Sequence, residues 1–144
     1  DLAQYFAIGN ETTIISDDFD KLSQNDIYQI MCAGRKEEYE KILQGTKNAQ
    51  VAAWWDKAVD IIPANGGKGN AVNAVLKYYG FSKEEAIAFG DGQNDIEMLE
   101  AVGTGVAMGN AKYEVKERAD VVCKSVEEDG VYYYCLENKL ITEI

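Results

Sequence analysis

Apolar residues in the middle of the chain recur with the period of an amphipathic helix. Val72, Val75, Leu76 and Tyr79 stand at the i, i+3, i+4 and i+7 positions of one helix face, and Gly80 follows them. Glycine is typical of the position just after a helix. The pattern therefore predicts an amphipathic helix that ends at Gly80.

After Gly80, short apolar runs alternate with helix-like segments. Alternation of strands and helices predicts right-handed crossovers and a parallel sheet covered on both faces. About three strands are fewer than the five or six of a typical sheet, so this sheet is expected to need a neighbour. The predicted strands are residues 85–91 (EAIAFGD), 104–109 (TGVAMG) and 119–124 (ADVVCK), and the predicted helices are residues 94–103, 111–119 and 127–141.

The first sixty residues have a different pattern. Two strand-like runs, residues 48–55 and 57–63, are close enough to pair antiparallel around Asp56. A further strand over residues 25–34 and a helix over 35–45 precede them. The chain therefore divides into an α+β unit, residues 1–62, and an α/β unit, residues 63–144. The boundary is predicted in the turn-rich stretch PANGG, residues 63–67.

Composition and charge exclude several classes of function. The chain of 144 residues is 47% hydrophobic and 27% charged, as in folded soluble proteins. A formal charge of −11 disfavours nucleic acid as a partner. No apolar run approaches the ~18 residues of a membrane span. The N-terminal segment lacks the pattern of a secretion signal.

The cysteine and histidine content restricts the chemistry further. Cys32, Cys123 and Cys135 are widely spaced and odd in number, which favours buried free thiols in a reducing cytoplasm. The absence of histidine excludes Ser-His and Cys-His nucleophile pairs and His-ligated zinc. Any reaction must then depend on Asp, Glu, Lys, Asn and the backbone.

The turn after the first predicted strand of the α/β unit carries two aspartates. Asp91 follows the strand, where ligands bind in open parallel sheets, and Asp95 falls in the first helical turn. Gly90 and Gly92 are expected to adopt positive φ and to let the backbone approach a ligand. Converging carboxylates of this kind suit Mg²⁺. Ordinary helix capping is the competing interpretation. An EF-hand loop is disfavoured, because Ile96 stands where that loop has glycine.

A second candidate is Lys68, which lies between glycines at the start of the predicted helix. A lysine beside exposed N–H groups at a helix N-terminus is an anion site. The segment is not a Walker A loop, which would need glycine at Ile62 and Ser or Thr at Gly69. A solvated surface lysine is the alternative for Lys68 alone. Together with the aspartate turn, however, Lys68 predicts one crevice for a metal and a phosphate.

These segments, in this order and spacing, resemble the C-terminal half of a Cof-type, class IIB phosphatase of the haloacid dehalogenase superfamily. The resemblance covers about residues 61–136, and residues 1–62 are similar to the end of that family's α+β cap domain. The fold it implies is the second half of a Rossmann-like parallel sheet preceded by part of a cap. The segments that carry the resemblance are GGKGNAV, AIAFGDGQNDIEML, GVAMGNA, ERADVV and EDGV.

The resemblance also implies roles for individual residues. Lys68 would neutralise the nucleophile and the phosphate, and Asn94 would donate to the substrate phosphate. Asp91 would bind Mg²⁺ directly, whereas Asp95 would hold it through water or orient its shell. The substrate would be a small phosphorylated cytosolic metabolite, such as a sugar phosphate, FMN or pyridoxal phosphate.

The family's aspartate nucleophile and acid/base, in a DxDGT turn, are not matched. Asp18 and Asp20 are the nearest candidates, but Lys21 and Leu22 replace Gly-Thr. Asp18 also precedes Lys68 by only fifty positions, too few for the missing strands and cap. A solvated acidic loop is the favoured interpretation of this segment.

We therefore expect a fragment of a Mg²⁺-dependent phosphomonoester hydrolase that is inactive alone. Its open sheet edge invites a homodimer or pairing with the missing N-terminal half. The alternatives are a non-catalytic phosphate- and metal-binding module and one chain of a split enzyme. In the expected cap, Trp54 or Trp55 could contact substrate, although core packing is the simpler role for one of them.

Overall fold

The computed structural model describes residue 7, residues 16–53 and residues 55–143. The chain separates into two compact units, residues 1–65 and residues 66–144. None of the helices in these described ranges is both long and apolar enough to cross a membrane.

The described part of the first unit contains a three-stranded antiparallel sheet with strand order β1-β3-β2. Its central strand, β3, pairs with both neighbours, and Ala58 and Val59 on it are fully buried. The predicted antiparallel pairing of residues 48–55 with 57–63 is confirmed, whereas the predicted strand over 25–34 is limited to four residues. The elements are α1 (Phe19–Leu22), β1 (Ile30–Ala33), a 3₁₀ turn (Lys36–Glu38), α2 (Tyr39–Ile42), β2 (Ala49–Ala52) and β3 (Ala58–Pro63).

The second unit is built on a parallel sheet with strand order β4-β5-β6, as the alternation of runs predicts. Its helices are shorter than predicted, because 3₁₀ turns occupy several of their first residues. The elements are α3 (Lys68–Tyr79), a 3₁₀ turn (Lys83–Glu85), β4 (Ile87–Gly90), a 3₁₀ turn (Gln93–Asp95), α4 (Ile96–Glu100), β5 (Thr104–Ala107), α5 (Tyr113–Arg118), β6 (Val121–Val122), a 3₁₀ turn (Val126–Glu128) and α6 (Gly130–Glu137).

Helices lie on both faces of this sheet. Ala88 of β4 belongs to the buried cluster around Leu99 of α4. The next residue, Phe89, faces the opposite side, since neighbours in a strand alternate. Its ring contacts Tyr134 of α6 edge-to-face, with centroids 5.4 Å apart. The prediction of a sheet covered on two faces is therefore confirmed at β4.

Helix α3 ends as predicted but is less buried than its apolar stripe suggests. Gly80 closes it in the left-handed conformation, with φ of 74°. Val72 and Leu76 are half-buried, whereas Val75 and Tyr79 are 53% and 65% exposed. Only one side of the stripe is therefore covered within this unit.

The three cysteines are unpaired, as predicted, but each is half-buried rather than fully buried. The prediction of buried thiols is wrong in degree, because Cys32, Cys123 and Cys135 lie at the margins of the two cores. Burial raises the pKa of the Cys123 thiol, and burial together with the charge of Asp60 raises the pKa of the Cys32 thiol.

Candidate metal and phosphate site

Lys68 and Asp95 form an ion pair in the second unit. Lys68 is the first residue of α3, and Asp95 is the last residue of the 3₁₀ turn before α4. The Lys68 ammonium donates a hydrogen bond to Oδ1 of Asp95. The Asp95 side chain is 7% exposed and that of Lys68 is 49% exposed. The half-exposed lysine side chain therefore reaches from the surface to a buried carboxylate.

The second oxygen of Asp95 organises the loop that follows β4. Its Oδ2 accepts the backbone N–H groups of Asp91, at 3.0 Å, and of Gly92, at 2.9 Å. Both Asp95 oxygens are thus engaged by donors of the protein itself. These hydrogen bonds close residues 91–95 into a turn that begins at Asp91.

The environment of Asp95 keeps its carboxyl group ionised. Burial by itself would raise the pKa of this group. The hydrogen bond from Lys68, the N–H groups of Gly92 and Asp91, and the charge of Lys68 together outweigh burial, so the pKa lies below the ordinary value of 3.8. The Asp95 carboxylate therefore remains negatively charged at neutral pH, in contact with the backbone N–H of Asp91.

Gly90 is needed for space, and neither Gly90 nor Gly92 adopts positive φ. Gly92 has φ of −97°, and neither residue is among the positive-φ glycines of the described chain. The prediction of positive φ here is therefore wrong. A Cβ atom at Gly90 would lie 2.5 Å from Cβ of Asp95, and one at Gly92 would lie 2.6 Å from Oδ1 of Asn94. Glycine is required at position 90, because the Asp95 side chain folds back onto the backbone there, whereas at position 92 the end of the Asn94 side chain could move away.

The approach of α3 to this loop also depends on glycine. Gly67, just before α3, has φ of 102°, which disfavours any other residue. A Cβ atom at Gly69 would lie 2.7 Å from the carbonyl oxygen of Glu97 in α4. These two glycines let the start of α3 pack against α4, which brings Lys68 to Asp95.

Asp91 is exposed and is held by a residue that the sequence analysis did not single out. Its Oδ2 accepts a hydrogen bond from Nδ2 of Asn110, at 3.0 Å. Asn110 lies in the loop after β5, at the same sheet edge as Asp91. The rule that places ligands at the carboxyl ends of parallel strands would have identified Asn110.

Asn94 lies between the two aspartates, within the 3₁₀ turn. It is half-buried, and its side-chain amide has no hydrogen-bond partner among residues 16–53 and 55–143. The amide is therefore able to donate to a ligand over the loop. The structure thus joins Lys68 and Asp95 to the backbone of Asp91, and Asn94 lies in the same turn, while the predicted roles of these residues stay predictions.

The donor set at this loop suits a small hard cation. Asp91 offers Oδ1, to which no described residue donates, whereas both oxygens of Asp95 are occupied. In the described part of the chain, no three Cys, Asp or Glu side chains form a ligand group for a metal. Mg²⁺ commonly keeps several waters and binds through one or two carboxylates plus phosphate, so one free carboxylate oxygen is consistent with it. Asp95 fits an orienting role better than direct ligation.

The other candidate functional residues of the sequence lie outside this loop. Asp18 and Asp20 are exposed in the first unit, around the start of the short helix α1. Trp55 is half-buried, with the Lys57 ammonium 5.7 Å from its ring centroid. Trp54 lies outside the described residues, so its predicted substrate contact stays a prediction.

Comparison with known proteins identifies a family that the chain matches over most of its length. The profile of a family described as haloacid dehalogenase-like hydrolase matches residues 5–135. A putative phosphatase of Bacillus subtilis, YkrA, is 40% identical over 116 residues, which are 81% of this chain and 45% of that protein. The pyridoxal phosphate phosphatase YbhA of Escherichia coli is 39% identical over 111 residues, which are 76% of this chain and 38% of that protein.

Solved structures give the same result for the fold. A sugar phosphatase of HAD subclass IIB superposes with a TM-score of 0.80 at 29% identity, covering 90% of this chain and 50% of that one. A phosphatase of the same superfamily from Bacteroides thetaiotaomicron gives a TM-score of 0.83 at 28% identity, covering 96% of this chain and 52% of that one. The chain thus spans about half or less of the length of these phosphatases.

Proposed function

Because the chain belongs to the haloacid dehalogenase-like hydrolase family, we propose that it carries the cation- and phosphate-binding half of a Mg²⁺-dependent phosphomonoester hydrolase. The observation that carries the proposal is the loop after β4. There, Asp95 is bonded at once to Lys68 and to the backbone of Asp91 and Gly92. The Lys68 ammonium, the buried Asp95 carboxylate and the exposed Asp91 carboxylate are thereby held at one edge of a parallel sheet.

Each residue of the loop has a role in this proposal. Asp91 binds Mg²⁺ through a carboxylate oxygen, and Asp95 holds the loop and the lysine in place. Lys68 and Asn94 bind the substrate phosphate, the first by charge and the second by its side-chain N–H groups. When bound, Mg²⁺ stabilises negative charge on the phosphoryl oxygens as a Lewis acid.

We propose a small phosphorylated metabolite as the substrate of the complete enzyme. Relatives named as a pyridoxal phosphate phosphatase and as a sugar phosphatase support this class, since both names describe small phosphate esters. The chain's formal charge of −11 is consistent with a ligand that binds only where Lys68 and a cation offset the repulsion.

The chain alone is proposed to be inactive, because transfer to an aspartate needs a nucleophile, and the described residues at this site offer none beyond the two aspartates assigned to the cation and the loop. Strand β4 lies at the end of the sheet order, and no strand of the described residues pairs with its outer edge. A parallel strand added there would end beside Asp91, at the edge where parallel-sheet enzymes bind ligands. We therefore propose pairing with a polypeptide that carries the missing half.

A complementation assay tests this function. The chain is co-expressed with the part of the Bacillus subtilis relative that lies outside its match to this chain, and hydrolysis of p-nitrophenyl phosphate is measured with Mg²⁺. We expect activity only in the mixture, and we expect its loss with Lys68→Ala. Turnover by the chain alone at the rate of an ordinary phosphatase would contradict the proposal, as would an inactive complex of the two polypeptides.

A non-catalytic module is the second candidate, and one observation favours it. Lys68 and Asp95 form an ion pair with each other, so the hydrogen bonds that organise the loop involve no nucleophile. Such a module would bind Mg²⁺ and inorganic phosphate and would stay inactive in the complementation mixture.

A further inference from the structure

The side-chain amide of Asn110 is fixed at both ends. Its Nδ2 donates to Oδ2 of Asp91 at 3.0 Å, and its Oδ1 accepts the backbone N–H of Val126 at 2.9 Å. A backbone N–H can only donate, so the amide oxygen must face Val126 and the NH₂ group must face Asp91. The orientation of the amide is thus set by its partners.

This contact determines which oxygen Asp91 can offer. The Asp91 side chain is exposed, so packing alone does not select one rotamer. The bond from Asn110 uses one lone pair of Oδ2, whereas no described residue donates to Oδ1. A cation at Asp91 would therefore bind more readily through Oδ1 than through both oxygens.

The anchor of Asn110 is itself well held. Val126 is the first residue of a 3₁₀ turn, and Ser125 before it donates its backbone N–H and its hydroxyl to Oε2 of Glu128, at 3.1 and 2.7 Å. These bonds close the turn from which the Val126 N–H donates to Asn110.

We propose that Asn110 is a positioning residue that makes Asp91 a one-oxygen ligand and so favours Mg²⁺ over Ca²⁺. Ca²⁺ accepts two-oxygen carboxylate ligation in flexible geometry, whereas Mg²⁺ demands a near-ideal octahedron with single oxygens. This inference rests on the proposed function only in taking Asp91 as a cation ligand. Residues that orient a metal ligand commonly affect metal affinity by about 10–100-fold.

The test is an NMR titration of the full chain with Mg²⁺ and, separately, with Ca²⁺. The amide signals of residues 90–95 report the affinity for each cation without any activity measurement. Asn110→Ala removes the donor to Asp91. We expect it to weaken Mg²⁺ binding by about tenfold and Ca²⁺ binding less, so that the Mg²⁺ to Ca²⁺ affinity ratio falls.

A matched pair at Val126 tests the same contact without changing Asn110. Val126→Pro removes the N–H that orients the amide, and proline is well tolerated at the first position of a helical turn. Ser125 already has φ of −69° and ψ of 167°, the conformation favoured before proline. Val126→Ala keeps the N–H. We expect the proline variant to lower the affinity ratio and the alanine variant to leave it unchanged.

The outcomes separate this inference from the proposed function. Equal Mg²⁺ to Ca²⁺ ratios in the wild type, Asn110→Ala and Val126→Pro would overturn the role of Asn110, while Mg²⁺ binding by the wild type would still support the site. An equal loss of affinity for Mg²⁺ and Ca²⁺ in the variants would indicate that Asn110 has a merely structural role, and this result would also overturn the inference. Absence of Mg²⁺ binding by the wild type would overturn both.

Discussion

Lys68 and Asp95, 27 positions apart in the chain, form an ion pair that links the start of α3 to the loop after β4. The pair is asymmetric, because the Asp95 side chain is buried and the Lys68 side chain is half-exposed. Asp95 also binds two backbone N–H groups of that loop. The Asp95 carboxylate therefore positions both the Lys68 ammonium group and the backbone of Asp91.

Replacement of Asp95 should destabilise the second unit. Asp95→Asn keeps the shape but removes the charge that faces Lys68 and leaves one oxygen for three donors. We expect a loss of about 1–3 kcal/mol in the free energy of unfolding, measured by urea denaturation. Glu97→Gln, an exposed carboxylate two residues away, is the matched control and should change stability by less than about 0.5 kcal/mol. Equal effects of the two variants would contradict the role of Asp95.

The contribution of Asp95 should disappear in acid. Because its folded-state pKa lies below the ordinary value of 3.8, the stabilisation is fully present above that value and is lost as the pH falls through the lowered pKa. The stability difference between the wild type and Asp95→Asn should therefore shrink below that ordinary value. Urea unfolding in metal-free buffer from neutral pH to about pH 2.5 measures it. A difference that grows with acidification would show that the pKa is raised instead.

Two glycine substitutions should each lower the free energy of unfolding, for different reasons. Gly90→Ala places a Cβ atom 2.5 Å from Asp95, so we expect a loss of about 1–3 kcal/mol and shifted amide signals in residues 91 and 92. Gly80→Ala meets no atom within 4 Å but must adopt φ of 74°. It should cost about 1 kcal/mol and leave those signals in place. Unchanged amide signals in Gly90→Ala would contradict the close approach of Asp95.

The sequence predicts the parts of this fold that depend on local pattern. Helix α3 has a clear helical period and a glycine stop, and the strands of the second unit are apolar runs that end at turns. The shortness of α4 and α6 is not visible in the sequence, since the 3₁₀ turns before them are three residues long, too short for their spacing to differ from that of an α-helix. The exposure of Val75 and Tyr79 is not visible either, because periodicity does not reveal what covers a face.

The candidate site was predictable where strand ends carry charged residues. Asp91 follows from the rule that parallel strands bind ligands at their carboxyl ends, and Lys68 follows from its place at a helix N-terminus. The contact of Asn110 with Asp91 joins residues 19 positions apart, and no spacing along the chain encodes it. The need for glycine at position 90 was anticipated for the wrong reason, because a steric contact with Asp95 is a property of the folded turn.

The most direct test of the central claim is to locate a bound cation by paramagnetic broadening with Mn²⁺ in ¹⁵N-labelled chain. We predict broadening centred on residues 90–95 and on Lys68, competition by Mg²⁺, and loss of the effect in Asp91→Asn. Asp129→Asn is the control, since Asp129 is exposed with φ of 54°, a conformation that asparagine tolerates. It should keep the wild-type pattern. Broadening centred elsewhere, or unchanged in Asp91→Asn, would contradict a metal and phosphate site at the Lys68–Asp95 loop.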